Sequence, residues 1–200
     1  MVGGVWQALA PCARLLRRLS GSLVAASVIT GCTLVPPAKP SELASADSSF
    51  ELSGRFAVRM GTEGGSGRLL WQHSSTNDDL SILSPLGQGL ARIVRADSLY
   101  TLTTSQNVQS SAADPDALTE RALGWRLPIS GLPYWLRGRA QPGSDAQTKL
   151  DEQSRIAELR QDGWVIEYLS YHADSGLPER MRVRRDTLDL RLVLEEWKRQ

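Results

Sequence analysis

The chain is 200 residues long, with 23 basic and 22 acidic residues, a formal charge of +1 and a 41% hydrophobic content. That length suits one folded domain with an extension, and the balanced charge offers no clustered basic face for nucleic acid. Two cysteines and two histidines, His73 and His172, provide no Cys/His metal-ligand set, and no cofactor is expected.

The first element is a leader. Arg14, Arg17 and Arg18 precede a short apolar run at 23–29, and small residues follow, the layout of a secretory signal. The run falls short of the roughly 20 apolar residues that span a bilayer. Ile29-Thr30-Gly31-Cys32 then sets a cysteine directly after a small residue, the order of a bacterial lipobox. The thiol of Cys32 is the nucleophile there that takes an S-diacylglycerol, and after cleavage its amine takes an N-palmitoyl chain. The alternative is an ordinary signal peptide that happens to contain a cysteine; the apolar-Thr-Gly-Cys order argues against it.

Cleavage before Cys32 divides the chain into a leader at 1–31, an acylated N-terminus and tether at 32–49, and a folded domain at 50–200. Pro36, Pro37 and Pro40 stand among small residues in the tether, which buries too little to fold and is expected to be flexible. Thr33 follows the cysteine. In enteric-type sorting an Asp there retains a lipoprotein in the inner membrane, so Thr33 points to the outer membrane, facing the periplasm. Without its three leader arginines the chain keeps 20 basic against 22 acidic residues, a charge of −2. Cys12 leaves with the leader and Cys32 is acylated, so no free thiol and no disulfide remain.

From Phe50 the apolar period is two. Leu52, Phe56, Val58 and Met60 share one strand face, with Glu51, Ser53, Arg55 and Arg59 on the other. Gly61–Gly67 reads as a hairpin connection; a phosphate cradle is the sharper alternative, but no Gly-Lys-Ser/Thr follows. Short strands are expected at 68–74, 80–84, 89–95 and 98–104, separated by Gly, Asn or Asp turns. Asp114-Pro115 opens a helix as N-cap and first position, and Gly124 suits its end. Leu132, Trp135 and Leu136 have the spacing of a second short helix. Asp162-Gly163 marks a tight hairpin, after which Trp164, Ile166 and Tyr168 alternate. Leu188, Leu190, Leu192 and Leu194 form the clearest strand face, opposite Asp189, Arg191 and Glu195, with Val193 the one apolar exception.

The fold class is therefore mainly β with α, a curved antiparallel sheet covered by two short helices. Its inward face is expected to carry Leu52, Phe56, Val58, Trp71, Ile82, Trp164, Ile166, Leu190 and Leu192. Such a sheet either fills with side chains or encloses a cavity. No catalytic grouping is found, and no enzyme is expected. Asp78-Asp79 reads as a solvated turn. His73 and His172 lie near strand ends with no nucleophile placed beside them. Ser66 lies in Gly65-Ser66-Gly67, but a nucleophile elbow needs Gly at both i−2 and i+2 in a strand-to-helix turn, and this segment joins two strands. One feature resists a bland reading: Ser84-Pro85-Leu86-Gly87 puts a large aliphatic side chain where turns carry polar ones.

Several motifs occur in order: Phe50-x-x-x-Gly54-Arg55-Phe56-Ala57-Val58, Trp71-Gln72 and Ser84-Pro85-Leu86-Gly87-Gln88, then Leu123-Gly124-Trp125-x-Leu127-Pro128, Trp135-Leu136-x-Gly138 and Gln161-Asp162-Gly163-Trp164-x-x-x-Tyr168. Together with the lipobox, this stretch from Phe50 to Trp197 resembles the LolB family of outer-membrane lipoprotein receptors. The resemblance implies an incomplete antiparallel β-barrel capped by helices, in the manner of LolA and LolB, around an apolar cavity that holds acyl chains. It implies the partners too: the periplasmic carrier LolA, lipoprotein cargo bound through its acyl chains, and outer-membrane phospholipid, with the protein itself a monomer that binds no nucleic acid. In the family the Leu of the protruding Pro-Leu-Gly loop inserts into membrane, which here assigns Pro85, Leu86 and Gly87. No nucleotide motif occurs, so direction must come from differences in affinity along the route. Two other classes stand beside this one. A structural accessory lipoprotein would have a filled core and bind envelope proteins, and an envelope lipid hydrolase would need a nucleophile and base that are not seen.

Overall fold

The computed structural model describes residues 49–199. The leader, Cys32 and the tether up to residue 48 lie outside the described residues. Two antiparallel meanders make up the domain. The first comprises β1 (Phe50–Met60), β2 (Glu63–His73), β3 (Asn77–Leu83), β4 (Gly89–Ala96), β5 (Leu99–Thr104) and β6 (Gln109–Ala112). The second comprises β7 (Ala146–Leu150), β8 (Ile156–Gln161), β9 (Trp164–Tyr171), β10 (Pro178–Arg185) and β11 (Leu188–Arg199). Pairing of β1 with β11 joins them into one 11-stranded sheet, ordered β6-β5-β4-β3-β2-β1-β11-β10-β9-β8-β7. The edge strands β6 and β7 are not paired, so the barrel is incomplete. The chain between those two edges carries α1 (Pro115–Leu123) and α2 (Leu132–Trp135).

Alternation sets the faces. Leu188, Leu190, Leu192 and Leu194 are all buried, as are Leu69, Trp71, Leu80 and Ile93 across the first meander. A strand turns successive side chains to opposite faces, so these rows line the concave side while the Arg-rich positions between them meet water. Helix α1 begins where the sequence places it: the Asp114 carboxylate accepts from Asp116 N at 2.9 Å and Ala117 N at 3.2 Å. It ends at Gly124, whose φ of 81° is the left-handed conformation of a glycine cap. Asp162 and Gly163, with φ of 50° and 78°, make the tight β8–β9 hairpin.

Two expectations are corrected. The β1–β2 connection is not the whole run from Gly61 to Gly67: the turn is Gly61-Thr62, and Glu63 to Gly67 belong to β2. Glycine is needed there as strand, because a Cβ on Gly67 would sit 2.0 Å from the Leu83 carbonyl and 2.9 Å from the Phe56 ring. Asp78 and Asp79 are not a solvated turn either. Both lie in β3, Asp78 only 5% exposed and Asp79 paired with Arg92. Strands β6, β7 and β10 carry no expectation in the sequence. All five residues of β7 are exposed, so burial imposes no alternation there, and in β10 only Met181 and Val183 stand out among arginines.

Candidate functional site: an apolar cavity and its mouth

The concave face holds a space of about 40 Å³ with an entirely apolar lining. Phe56, Leu69, Trp71, Leu80 and Ile82 line it from β1–β3, and Leu190 and Leu192 from β11. Trp125, Leu127, Ile129, Leu132 and Leu136 close it from the connection between the sheet edges. A wider mouth of about 390 Å³ is lined by Val58, Met60, the Glu63–Ser66 stretch, Leu90, Leu123 and Trp125. Phe56, Ile82 and Trp125 border both spaces and stand between them. Apolar cavities of this kind stay dry.

Of the residues expected on the inward face, Phe56, Trp71, Ile82, Leu190 and Leu192 line the inner space, and Val58 lines the mouth. Leu52, Trp164 and Ile166 line neither. Leu52 packs beside Trp71 across the β1–β2 ladder, and Trp164 lies under Trp135 at 6.1 Å between ring centroids. Ile166 is fully buried in the same cluster. That half of the concave face is filled, because α2 sits on it. The five lining residues from the helical connection are not among those the sequence assigns to the inward face. Their signal was an apolar series, Trp125, Leu127, Ile129, Leu132 and Leu136, on a Pro- and Gly-rich segment that periodicity alone does not assign to a wall.

Buried hydrogen bonds tie the second half of this connection to the sheet. Trp135 Nε1 donates to Gln161 Oε1 at 3.0 Å, and the Tyr168 hydroxyl donates to the Trp135 carbonyl at 2.9 Å. Burial pushes the Tyr168 hydroxyl far above its ordinary pKa, so it remains a donor. Gln161 also holds Gln141 in both directions, accepting from its N–H at 2.9 Å and donating to its carbonyl at 2.6 Å. The first half is tied chiefly to itself. Asp116 accepts from Ser130 N at 3.0 Å and Oγ at 3.1 Å, and Leu127 N donates to Thr119 Oγ1 at 2.9 Å. Burial raises the Asp116 pKa, opposed by those Ser130 bonds and by Arg126.

At the end of the sheet away from the mouth, the interior closes on charge. Asp78 accepts from Trp71 Nε1 at 2.9 Å and from Arg95 Nε at 2.5 Å, with His73 Nδ1 at 2.6 Å. Arg95 also donates to the carbonyls of Ser74 at 2.8 Å and Ser75 at 3.1 Å. Burial disfavours the Asp78 carboxylate, yet its bonds from His73, Arg95 and Trp71 prevail and hold its pKa below the ordinary value.

Beside the mouth, the loop between β3 and β4 projects Leu86, 89% exposed. Gly87 N donates to the Ser84 carbonyl at 2.9 Å and Ser84 N to the Gln88 carbonyl at 2.8 Å. Gly87 takes a φ of 85° while Leu86 has no positive φ, the arrangement of a type I turn closed by a glycine bulge. Pro85 presets the turn, so the backbone holds Leu86 outward with no side chain over it.

Among the described residues, no helix is long and apolar enough to cross a membrane, and no group of three His, Cys, Asp or Glu could hold a metal ion.

A family model described as outer membrane lipoprotein LolB matches residues 48–197. A protein of Thiobacillus denitrificans named outer-membrane lipoprotein LolB is 38% identical over 183 residues, covering 91% of this chain and 98% of its own. One of the same name from Pseudomonas paraeruginosa is 38% identical over 151 residues, 74% of each chain. The crystal structure of a DUF1329 family protein from Desulfovibrio piger covers 78% of this chain and 88% of its own, with a TM-score of 0.51 at 8% identity. That last likeness is one of fold alone.

Proposed function

The chain belongs to the LolB family, and on that premise we propose that it is an outer-membrane lipoprotein that receives other lipoproteins from the carrier LolA and inserts them into the inner leaflet of the outer membrane. The observation that carries the proposal is the pairing of an apolar cavity with an exposed aliphatic residue beside its mouth. Each CH₂ buried is worth about 0.8 kcal/mol, so an acyl chain needs such a lining to leave its carrier and a bilayer contact to leave again. Residues 1–31 then serve as the leader, Cys32 as the acylated anchor and 33–49 as the tether to the domain. The anchored protein faces the periplasm.

An inner space of about 40 Å³ has room for a few waters, far less than an acyl chain occupies. Acceptance therefore requires part of the wall to withdraw. The 115–130 portion is the part more readily released, since it rests on the sheet by apolar packing of residues such as Leu118 while its hydrogen bonds run within itself, whereas Trp135 and Gln141 are fastened to Gln161. Phe56, Ile82 and Trp125 are the side chains that such a movement separates.

The test scores two steps separately: transfer of a labelled lipoprotein from carrier to variant, and from variant to liposomes. Leu86→Glu is expected to accept cargo as the parent does and to hold it, while Leu86→Ile and Leu86→Phe release normally. If Leu86→Glu accepts poorly, or releases as well as the parent, the loop is not the insertion element. A structural lipoprotein with a permanently filled core, the competing class, accepts no cargo in the first step.

A further inference from the structure

We propose that Leu90 and Val108 join Leu86 in one apolar face that contacts the bilayer beside the mouth; the proposal rests on the lipid-transfer reading above. Three of the largest exposed apolar side chains gather at this end of the sheet: Leu86, Leu90 at 42% and Val108 at 57%. The strand registers bring them together. Ile82 pairs with Ala91 and Ala91 with Thr104, so the β3–β4 and β5–β6 loops leave the same end of adjacent strands. A backbone bond then joins them, from Ser105 N to the Leu90 carbonyl at 2.9 Å.

The two loops share one hydrogen-bond scheme. Ser84 N donates to the Gln88 carbonyl and Gly87 N to the Ser84 carbonyl; Thr104 N donates to the Val108 carbonyl and Asn107 N to the Thr104 carbonyl. Gly87 and Asn107 occupy equivalent left-handed positions, with φ of 85° and 61°. Both loops therefore present their apolar residue from a backbone closed on itself, at little further ordering cost on binding.

The two loops and the strands that carry them bring no charge of their own, although Glu63 borders the mouth and Arg55, Arg68 and Glu195 lie beside Pro85. Residues 80–91 and 98–113 contain no Asp, Glu, Lys or Arg, in a chain that is 22% charged. The polar side chains between the apolar ones are Gln88, Gln106, Asn107 and Gln109, neutral amides that hydrogen-bond to headgroups and carry no charge into them. A face docking a soluble protein would gain steering and register from charge; a face meant to enter the headgroup region loses by it. Leu90 also borders the mouth, so the contact lies where acyl chains must leave.

The experiment uses the full acylated protein and vesicles of phosphatidylethanolamine and phosphatidylglycerol, again scoring acceptance and release apart. Val108→Glu and Leu90→Glu are expected to slow release about tenfold, the scale of one buried aliphatic side chain, with acceptance unchanged. Val108→Ser is expected to slow it less, in the same direction. Leu99→Glu alters another exposed leucine at the opposite end of β5 and is expected to change neither step. Release by the parent should vary little with salt, since none of the three contact side chains is charged. Normal release by Val108→Glu, equal slowing by Leu99→Glu, or steep salt dependence each overturns the proposal. Loss of acceptance in Val108→Glu overturns it in favour of a carrier-docking face. If Leu86→Glu itself releases normally, the functional reading fails; if only Leu86→Glu is blocked, this extension alone fails.

Discussion

The indole N–H of Trp71 donates to the carboxylate of Asp78 at 2.9 Å while the same ring lines the apolar cavity. One side chain thus faces two environments, dry on one side and ionic on the other. Behind that ring, the cluster of Asp78, His73 and Arg95 ties β2, β3 and β4 together at the end away from the mouth. Phe50 packs over it, 5.9 Å from Trp71 and 4.8 Å from His73 between centroids.

Asp78→Asn is expected to destabilise the domain by about 3 kcal/mol at pH 7, because Arg95 is left buried without its counter-charge. The pH dependence has a definite sign. The folded Asp78 pKa lies below its ordinary value, so its contribution is present above the unfolded pKa of about 3.9 and is lost as pH falls through the lower folded value. Urea unfolding at pH 7 and near pH 3 checks both: the parent should lose stability across that interval, and the variant should lose less.

Leu192→Ala and Leu159→Ala separate cavity from core. Leu192 borders the empty space, while Leu159 is fully buried and does not. Truncation beside an existing void forfeits fewer contacts, so about 2 kcal/mol is expected for Leu192 and about 4 kcal/mol for Leu159, within the range for core leucines. Equal losses in denaturant titrations would mean that the space is filled in solution.

Gly67→Ala is expected to cost at least about 3 kcal/mol, since the new methyl would meet the Leu83 carbonyl at 2.0 Å and backbone must shift. Gly65→Ala, two residues earlier with nothing within 4 Å, is expected to be neutral or slightly stabilising. Thermal unfolding of the pair distinguishes a close-approach glycine from a merely flexible one.

Phe50, where the strands begin, and the Leu86 loop lie toward opposite ends of the strands. Phe50 pairs with His73 and His73 with Asp78, whereas Leu83, just before the loop, pairs with Arg68. If Cys32 anchors the chain as proposed, a tether spanning at most about 3.3–3.6 Å per residue has to be long enough to let Leu86 reach the same membrane. Deleting residues 35–46 from the acylated protein is expected to preserve acceptance and abolish release into its own membrane. The same deletion with Cys32→Ser should release normally and incorporate no labelled palmitate. Palmitate incorporation in that variant, or full release by the short-tethered acylated form, would refute this arrangement.

Where a local rule governs a local structure, the residues were legible in advance. The Asp114 cap, the Gly124 stop, the Asp162-Gly163 turn and the leucine row from Leu188 to Leu194 follow from short-range sterics, capping bonds and a period of two. The exposed Leu86 is of this kind too, since Pro85 and Gly87 specify the turn that displays it.

The rest waited on partners distant in sequence. Nothing near Asp78 announces Arg95, and without it an Asp-Asp pair reads as solvated. Trp164 and Ile166 satisfy the same inward alternation as Leu190 and Leu192, yet the first two are covered by α2 and the second two face a void. Alternation decides which face of a strand is apolar. Whether that face is filled depends on where a segment between the two free sheet edges settles, and that is a matter of packing volume across the whole domain, which only the tertiary structure decides.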